Sequence, residues 1–449
     1  MTDLAATVES LFPEVLDTLT ELVAIESISS LPDHADVVER SADTVAQLLV
    51  ELGCPEVSVR RTGGSRPAVI AHFPAPEGMP TVCLYAHHDV QPTGDPAAWS
   101  SPPFTATRRG DRLYGRGTSD DKGGLAVHLA ALRAFGGKPP VGVKLFIEGE
   151  EEVGSPAVGA FLDRHAADLA ADLFVICDSA NWEVGTPAFT TTLRGLADCV
   201  VEVSTLDHAL HSGSFGGVVP DALTTLCRVL ATLHDEQGNV AVAGLGSTSA
   251  APLDYPDDRL AAEAGLLPGV SQLGDGPVVD RMWTRPSITV LAIDATPVAD
   301  ASNTLSATAR AKVSLRVAPG DDAARALDLL ADHLVQAAPW GAKVDVVRGD
   351  VGQPSQVAPG GRFAGAAAAA FEQGFGVAPV EIGQGGSIPM VAELQRRFPE
   401  AGILITAVGD PDTRAHGIDE SVHLSDLAKA CVSETLLLQG IADQVRSVG

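Results

Sequence analysis

Short apolar runs rich in branched side chains alternate along this chain with segments whose apolar positions recur every three to four residues. The runs PAVIAHF (67–73), TVCLYAH (81–87), VKLFIEG (143–149), ADLFVICD (171–178) and AGILITAVG (401–409) predict buried strands. Helical period marks Leu4 to Ile25, Ala35 to Leu52, KGGLAVHLAALRAF (122–135), PAVGAFLDRHAADL (156–169) and Leu424 to Val445. This alternation predicts an α/β fold, a mixed and mostly parallel sheet flanked by helices.

The middle of the chain follows another rule. LADCVVEVS (196–204), a helix over Asp221–His234, SITVLAID (287–294), ATARAKVSLRV (307–317), a helix over Asp321–Ala338 and AKVDVVR (342–348) follow in order. That order is βαββαβ, which closes a small antiparallel sheet of its own. Asn239 to Arg285 is rich in Gly and Pro without clear period and is expected to be a long loop. The expected division is a catalytic domain in two segments, 1–193 and 354–449, around an inserted α+β lid or dimerisation domain, 194–353. No internal repeat or low-complexity tail is visible.

Composition narrows the partners. A length of 449 residues implies more than one core, and a net charge of −28 argues against nucleic acid or anionic membrane as partner. The opening MTDLAATVESLF lacks a basic start and a long apolar run, so no signal peptide is expected, and no 18-residue apolar stretch spans a membrane. The six cysteines form no CxxC pair, and a reducing cytoplasm is the expected compartment.

Candidate chemistry gathers at the carboxyl ends of the predicted strands, where open α/β sheets place ligands. YAHHDVQP offers His87 to a metal, with Asp89 holding the other ring nitrogen or fixing the site. LYGRGTSDDKGG sets Asp120 and Asp121 before a helix; one Asp there is an ordinary N-cap, but two exceed what a cap needs. FIEGEEEVGS places Glu150, Glu151 and Glu152 directly after an apolar strand with no Lys or Arg nearby, so their repulsion calls for a metal. Asp178 in VICDSANW and His416, Asp419 and Glu420 in DPDTRAHGIDES complete the set; each alone is ordinary loop chemistry.

Taken in order, YAHHDVQP, LYGRGTSDDKGG, EGEEEVGS, VICDS, LHSGSFGG, GGSIP and RAHGIDES resemble the zinc-dependent dipeptidase, aminoacylase and carnosinase family. The resemblance covers nearly the whole chain. It implies two divalent metal ions, zinc first with manganese or cobalt as alternatives. His87 and His416 would each bind one ion, Asp120 would bridge them, and Glu152 and Asp178 would complete the shells. Glu151 would be the general base acting on a metal-bridging water, with Asp89 supporting the site. His211 would stabilise the oxyanion, reaching a neighbouring subunit's site in a homodimer. Asn303, Arg316 and Ser387 would hold the substrate, Arg316 by pairing with a terminal carboxylate. A cis peptide between Asp120 and Asp121 is also implied.

Asp rather than Glu at position 178 resembles the dipeptidase and aminopeptidase branch. Carnosinase-like relatives carry Arg-Glu just before GGSIP, where this chain has Gly383 and Gln384, and a further histidine that is missing between His333 and His416. Carnosine is therefore not the expected substrate. The expectation is a dipeptidase acting on a small peptide. A deacylase of N-acyl amino acids is the alternative enzyme, and a non-catalytic binding protein with the same fold the alternative of another class.

Overall fold

Branched and aromatic side chains on both faces send the strand Thr81–His87 to the middle of a sheet, where Val82 to Ala86 are buried completely. The computed structural model describes residues 3–386 and 388–448. They form two compact units: Met1–Thr191 with Val357–Ile382 and Pro389–Gly449, and Thr192–Gln356 with Gly383–Ile388.

The first unit holds a six-stranded sheet in the order Glu56–Arg60, Ala68–Phe73, Gly142–Glu148, Thr81–His87, Leu173–Ile176, Gly402–Ile405. The last four run parallel, and the first two are antiparallel additions at one edge. The sheet is mixed and mostly parallel, as the alternating pattern predicts. Both faces are covered. Leu145 and Ile147 share a core with Leu125 and Leu129 of the helix Lys122–Ala134. Phe146, pointing the other way, stacks on Phe161 of the helix Val158–Leu169 with ring centroids 5.1 Å apart. Each such Leu, Ile or Phe contributes roughly 1.5–3 kcal/mol by leaving water.

Parallel pairing has a functional consequence: the carboxyl ends of four strands open on one rim. The edge strand Glu56–Arg60 is absent from the sequence expectation because EVSVR has three polar residues in five, and an edge strand needs only a little apolar surface. A small antiparallel sheet of Thr107–Arg109, Arg112–Tyr114 and Ser421–His423 also escapes the pattern. It matters for the site, since its Ser421–Tyr114 pairing ties the RAHGIDES loop to LYGRGTSDD.

In the second unit four antiparallel strands lie in the order Ser287–Asp294, Thr308–Val317, Gly195–Ser204, Lys343–Gly352. Ala309, Ala311, Val313, Leu315 and Val317 alternate inward to a core shared with the helices Ala222–Ala231 and Ala323–Gln336. This is the βαββαβ order. The stretch 239–285 is not all loop, because it contains the short helices Asp257–Glu263 and Val278–Trp283. Pro256 and Pro277 start them, and at seven and six residues neither shows a helical period in sequence. Gly383–Ile388, which sequence alone assigns to segment 354–449, cluster with this unit.

No helix among the described residues is long and apolar enough to cross a membrane. All six cysteines are free, and only Cys227 is exposed.

Candidate active site

His87 closes the strand Thr81–His87, and its ring nitrogens serve different partners. Nδ1 lies 3.0 Å from the Asp89 backbone carbonyl and 3.4 Å from Asp89 Oδ1. Nε2 faces Asp120 Oδ1 at 3.1 Å and Asp178 Oδ2 at 3.9 Å. The other Asp120 oxygen, Oδ2, lies 3.0 Å from His416 Nε2, which is also 3.2 Å from Glu152 Oε2. Asp120 therefore stands between two imidazoles and offers one oxygen to each.

The loops that aim these groups are tightly fixed. Asp89 is fully buried, and its two carboxylate oxygens accept the backbone N–H groups of Glu151 (3.3 Å) and Glu152 (3.1 Å). It thus holds the acidic turn as well as the His87 ring. Gln91 adds to this, its backbone N–H donating to Glu152 Oε1 and its side-chain amide to the Glu152 carbonyl. Glu420 is buried, takes a 2.6 Å bond from Arg116 Nη1, and accepts the N–H groups of Gly117, Ser119 and Asp120. One carboxylate thereby shapes the turn that presents Asp120. The Asp120–Asp121 peptide is cis.

Asp121 does not cap the following helix through its side chain. Its Oδ2 accepts the His87 backbone N–H at 3.2 Å, while Oδ1 is buried without a hydrogen-bond partner. Gly124 permits this packing, since a Cβ there would sit 2.2 Å from Asp121 Oδ1.

Charge is concentrated here without ordinary compensation. Asp120, Glu151, Glu152 and Asp178 bring four carboxylates, and among the described residues no Lys or Arg pairs with any of them. Burial, with the neighbouring charge of Asp120, pushes Asp178 up to about 8. Burial also raises Glu152, and raises Glu151 and Asp121 well above the usual carboxylate range. Hydrogen bonding to Asp120 and Glu152 lifts His416 to about 10. For His87 burial opposes the charged form, yet contacts with Asp120 and Asp89 outweigh it and raise its proton affinity. Such a site demands cations. The ligand atoms of His87, Asp120 and Glu152 lie within 4.8 Å of one another, as do those of His87, Asp121 and Asp178. Two ligands of one tetrahedral zinc lie roughly 3.3 Å apart, from bonds of about 2.0 Å. The nitrogen–oxygen separations of 3.0–3.9 Å bracket that value. Imidazole and carboxylate donors suit zinc and its divalent neighbours, so the residues present fit a metal pair.

The five candidate ligands, Asp89 and Glu151 all belong to the first unit. The Glu151 carboxylate makes no hydrogen bond or ion pair among the described residues, which leaves it free to accept a proton. His211, Asn303 and Arg316 belong to the second unit. There His211 is exposed, pairs with Thr304, and accepts the Gly213 N–H at Nδ1. Asn303 accepts the Ser212 N–H through its carbonyl. Ser387 lies outside the described residues. Sequence reading leaves Gln91 and Arg116 without a role and offers Asp121 only as a helix cap beside Asp120; their signal is position, since each sits inside a quoted motif.

Fold and site together define a metallohydrolase, and the chain belongs to peptidase family M20/M25/M40, whose sequence model matches residues 83–439. It is 35% identical over 431 residues to a cysteinylglycine-S-conjugate dipeptidase of Corynebacterium striatum, with 94% of each chain covered. It is 27% identical over 459 residues to a Cys-Gly metallodipeptidase of Candida albicans, covering 95% of this chain and 94% of the other. Among solved structures, the dipeptidase Dug1p of Saccharomyces cerevisiae shares the fold with a TM-score of 0.84, 24% identity and 98% of each chain covered.

Proposed function

We propose that this protein is a metallo-dipeptidase that hydrolyses the amide bond of small peptides with a pair of divalent metal ions. The observation that carries this reading is Asp120, one of whose oxygens faces His87 and the other His416. His87 with Asp178 would hold one ion and His416 with Glu152 the other, with Asp120 shared. Zinc is the expected metal. When bound, the pair would polarise the scissile carbonyl and lower the pKa of the attacking water. Glu151 takes the proton of that water and returns it to the leaving amine. Asp89 keeps Glu151 and Glu152 in register through their backbone N–H groups. On the second unit, His211 would donate to the developing oxyanion, delivered from a partner subunit of a homodimer. Asn303, Arg316 and Ser387 would hold the substrate. Cys-Gly and its S-substituted forms lead the candidate substrates, because the relatives above are named for them. A cytoplasmic location fits six free cysteines.

The test joins metal analysis of the purified protein to a panel of unblocked dipeptides and N-acetyl amino acids. Two equivalents of metal, chelator-sensitive cleavage of dipeptides and recovery on adding zinc are expected. Cleavage of only the acylated panel would make the protein a deacylase, and no cleavage with metals bound would make it a binding protein.

A further inference from the structure

The face of the second unit's sheet turned away from the helices Ala222–Ala231 and Ala323–Gln336 carries two guanidinium groups without an acidic partner among the described residues. Arg316 stands opposite Ser287 on one neighbouring strand and opposite Leu196 on the other. Opposed residues share a face, and since Leu315 and Val317 enter the helix-covered core, Arg316 and Ser287 share the other one. Arg194 precedes Gly195, the first residue of the central strand, and reaches the same place. Its Nη1 donates to Ser287 Oγ at 3.1 Å and to the Arg285 carbonyl at 3.4 Å, and its Nε donates to the Gly385 carbonyl at 3.3 Å.

These bonds use three of the five N–H groups of Arg194. Its Nη2 donates to nothing among the described residues, and neither does any guanidinium nitrogen of Arg316. Among the described residues no Asp or Glu pairs with either, although the chain holds 58 acidic against 30 basic residues. Both side chains are partly buried, and burial together with the charge of Arg316 lowers Arg194 to about 10. Gly385 leaves room for the fork, since a Cβ there would lie 2.7 Å from Arg194 Nη2. Two partly desolvated like charges, one of them held in place by neutral groups and both with donors left over, call for an anion, and a planar fork suits a carboxylate.

We propose that Arg194 is a second carboxylate-binding residue, acting with Arg316 on the terminal carboxylate of the peptide and oriented by Ser287 and the Gly385 carbonyl. The proposal rests on the dipeptidase reading. Metal-loaded wild type, Arg194→Met, Arg194→Lys and Ser287→Ala are compared on glycylglycine and glycylglycinamide, with circular dichroism checking the fold. Arg194→Met should raise KM for the free acid at least about tenfold, with kcat within about threefold, and leave the amide unchanged. Lysine should restore part of the loss, and Ser287→Ala should show a smaller loss of the same kind. Equal losses on both peptides, or none, overturn the proposal. Melting temperatures with each peptide separate the two readings. If wild type cleaves neither but is stabilised by the acid alone in an Arg194-dependent way, the carboxylate site stands and the dipeptidase reading falls. Equal stabilisation by acid and amide overturns the site.

Discussion

Replacing Glu420 by Gln tests how the candidate centre is built, because this one carboxylate holds Arg116 and three backbone N–H groups of the turn ending at Asp120. Burial pushes the Glu420 carboxyl above its ordinary range, with Asp120 adding to the rise and Arg116 opposing it. What the buried carboxylate secures, through Arg116 and the three backbone N–H groups, is the shape of the turn. Removing the charge leaves the Arg116 guanidinium, 1% exposed, uncompensated. Breaking a buried pair in this way costs about 3–5 kcal/mol, a large share of the roughly 5–15 kcal/mol that a native domain has. A displaced Asp120 should also weaken zinc binding by about 10–100-fold, the usual effect of losing a group that orients a ligand. Urea unfolding followed by tryptophan fluorescence suits the first measurement, because the Trp99 ring lies 5.4 Å from the Arg116 guanidinium. Competition with a chelating dye gives the second. Arg116→Met combined with Glu420→Gln should be less unstable than the sum of the single changes, since the orphaned charge is gone. A Glu420→Gln protein within about 1 kcal/mol of wild type, with unchanged zinc affinity, would refute the reasoning.

Glu151→Gln should keep fold and metal content while lowering kcat at least about 100-fold; near-normal turnover would place the base elsewhere. Asp89→Ala removes the acceptor of two backbone N–H groups and should cost about 2–6 kcal/mol, at roughly 1–3 kcal/mol for each donor left unpaired, and reduce metal occupancy. Stability within error of wild type by urea titration counts against that role. His128 is fully buried, with Nδ1 2.8 Å from Glu434 and Nε2 2.9 Å from the Tyr85 carbonyl. Burial opposes its charge, but Glu434 raises its proton affinity above the ordinary histidine value. The stabilisation is then fully present below about pH 6.5, the unfolded value, and fades as pH rises through the higher folded value. The stability gap between wild type and His128→Gln should narrow from pH 6 to pH 9, and a gap constant across that range would exclude the charged pair.

The fold was legible where one residue type repeats on one face. Apolar strands such as TVCLYAH and LFVI need only their own composition to be buried, and Ala309 to Val317 show period two plainly. Marginal elements were not legible: EVSVR gains its strand from the neighbour Ala68–Phe73, and the helices at Asp257 and Val278 are too short to repeat a pattern. The candidate ligands could be proposed from sequence because His and carboxylates at strand ends are few and the motifs follow in a fixed order. What holds them could not. Asp89 reaches across 62 residues to Glu151, and Glu420 reaches across 300 to Asp120. Asp121, which looks like a helix cap, instead accepts the His87 backbone N–H. Sequence by itself thus determined which groups carry charge and where strands end. Only tertiary structure decided which buried donor each carboxylate answers, because in a low-dielectric interior that choice depends on partners distant in the chain.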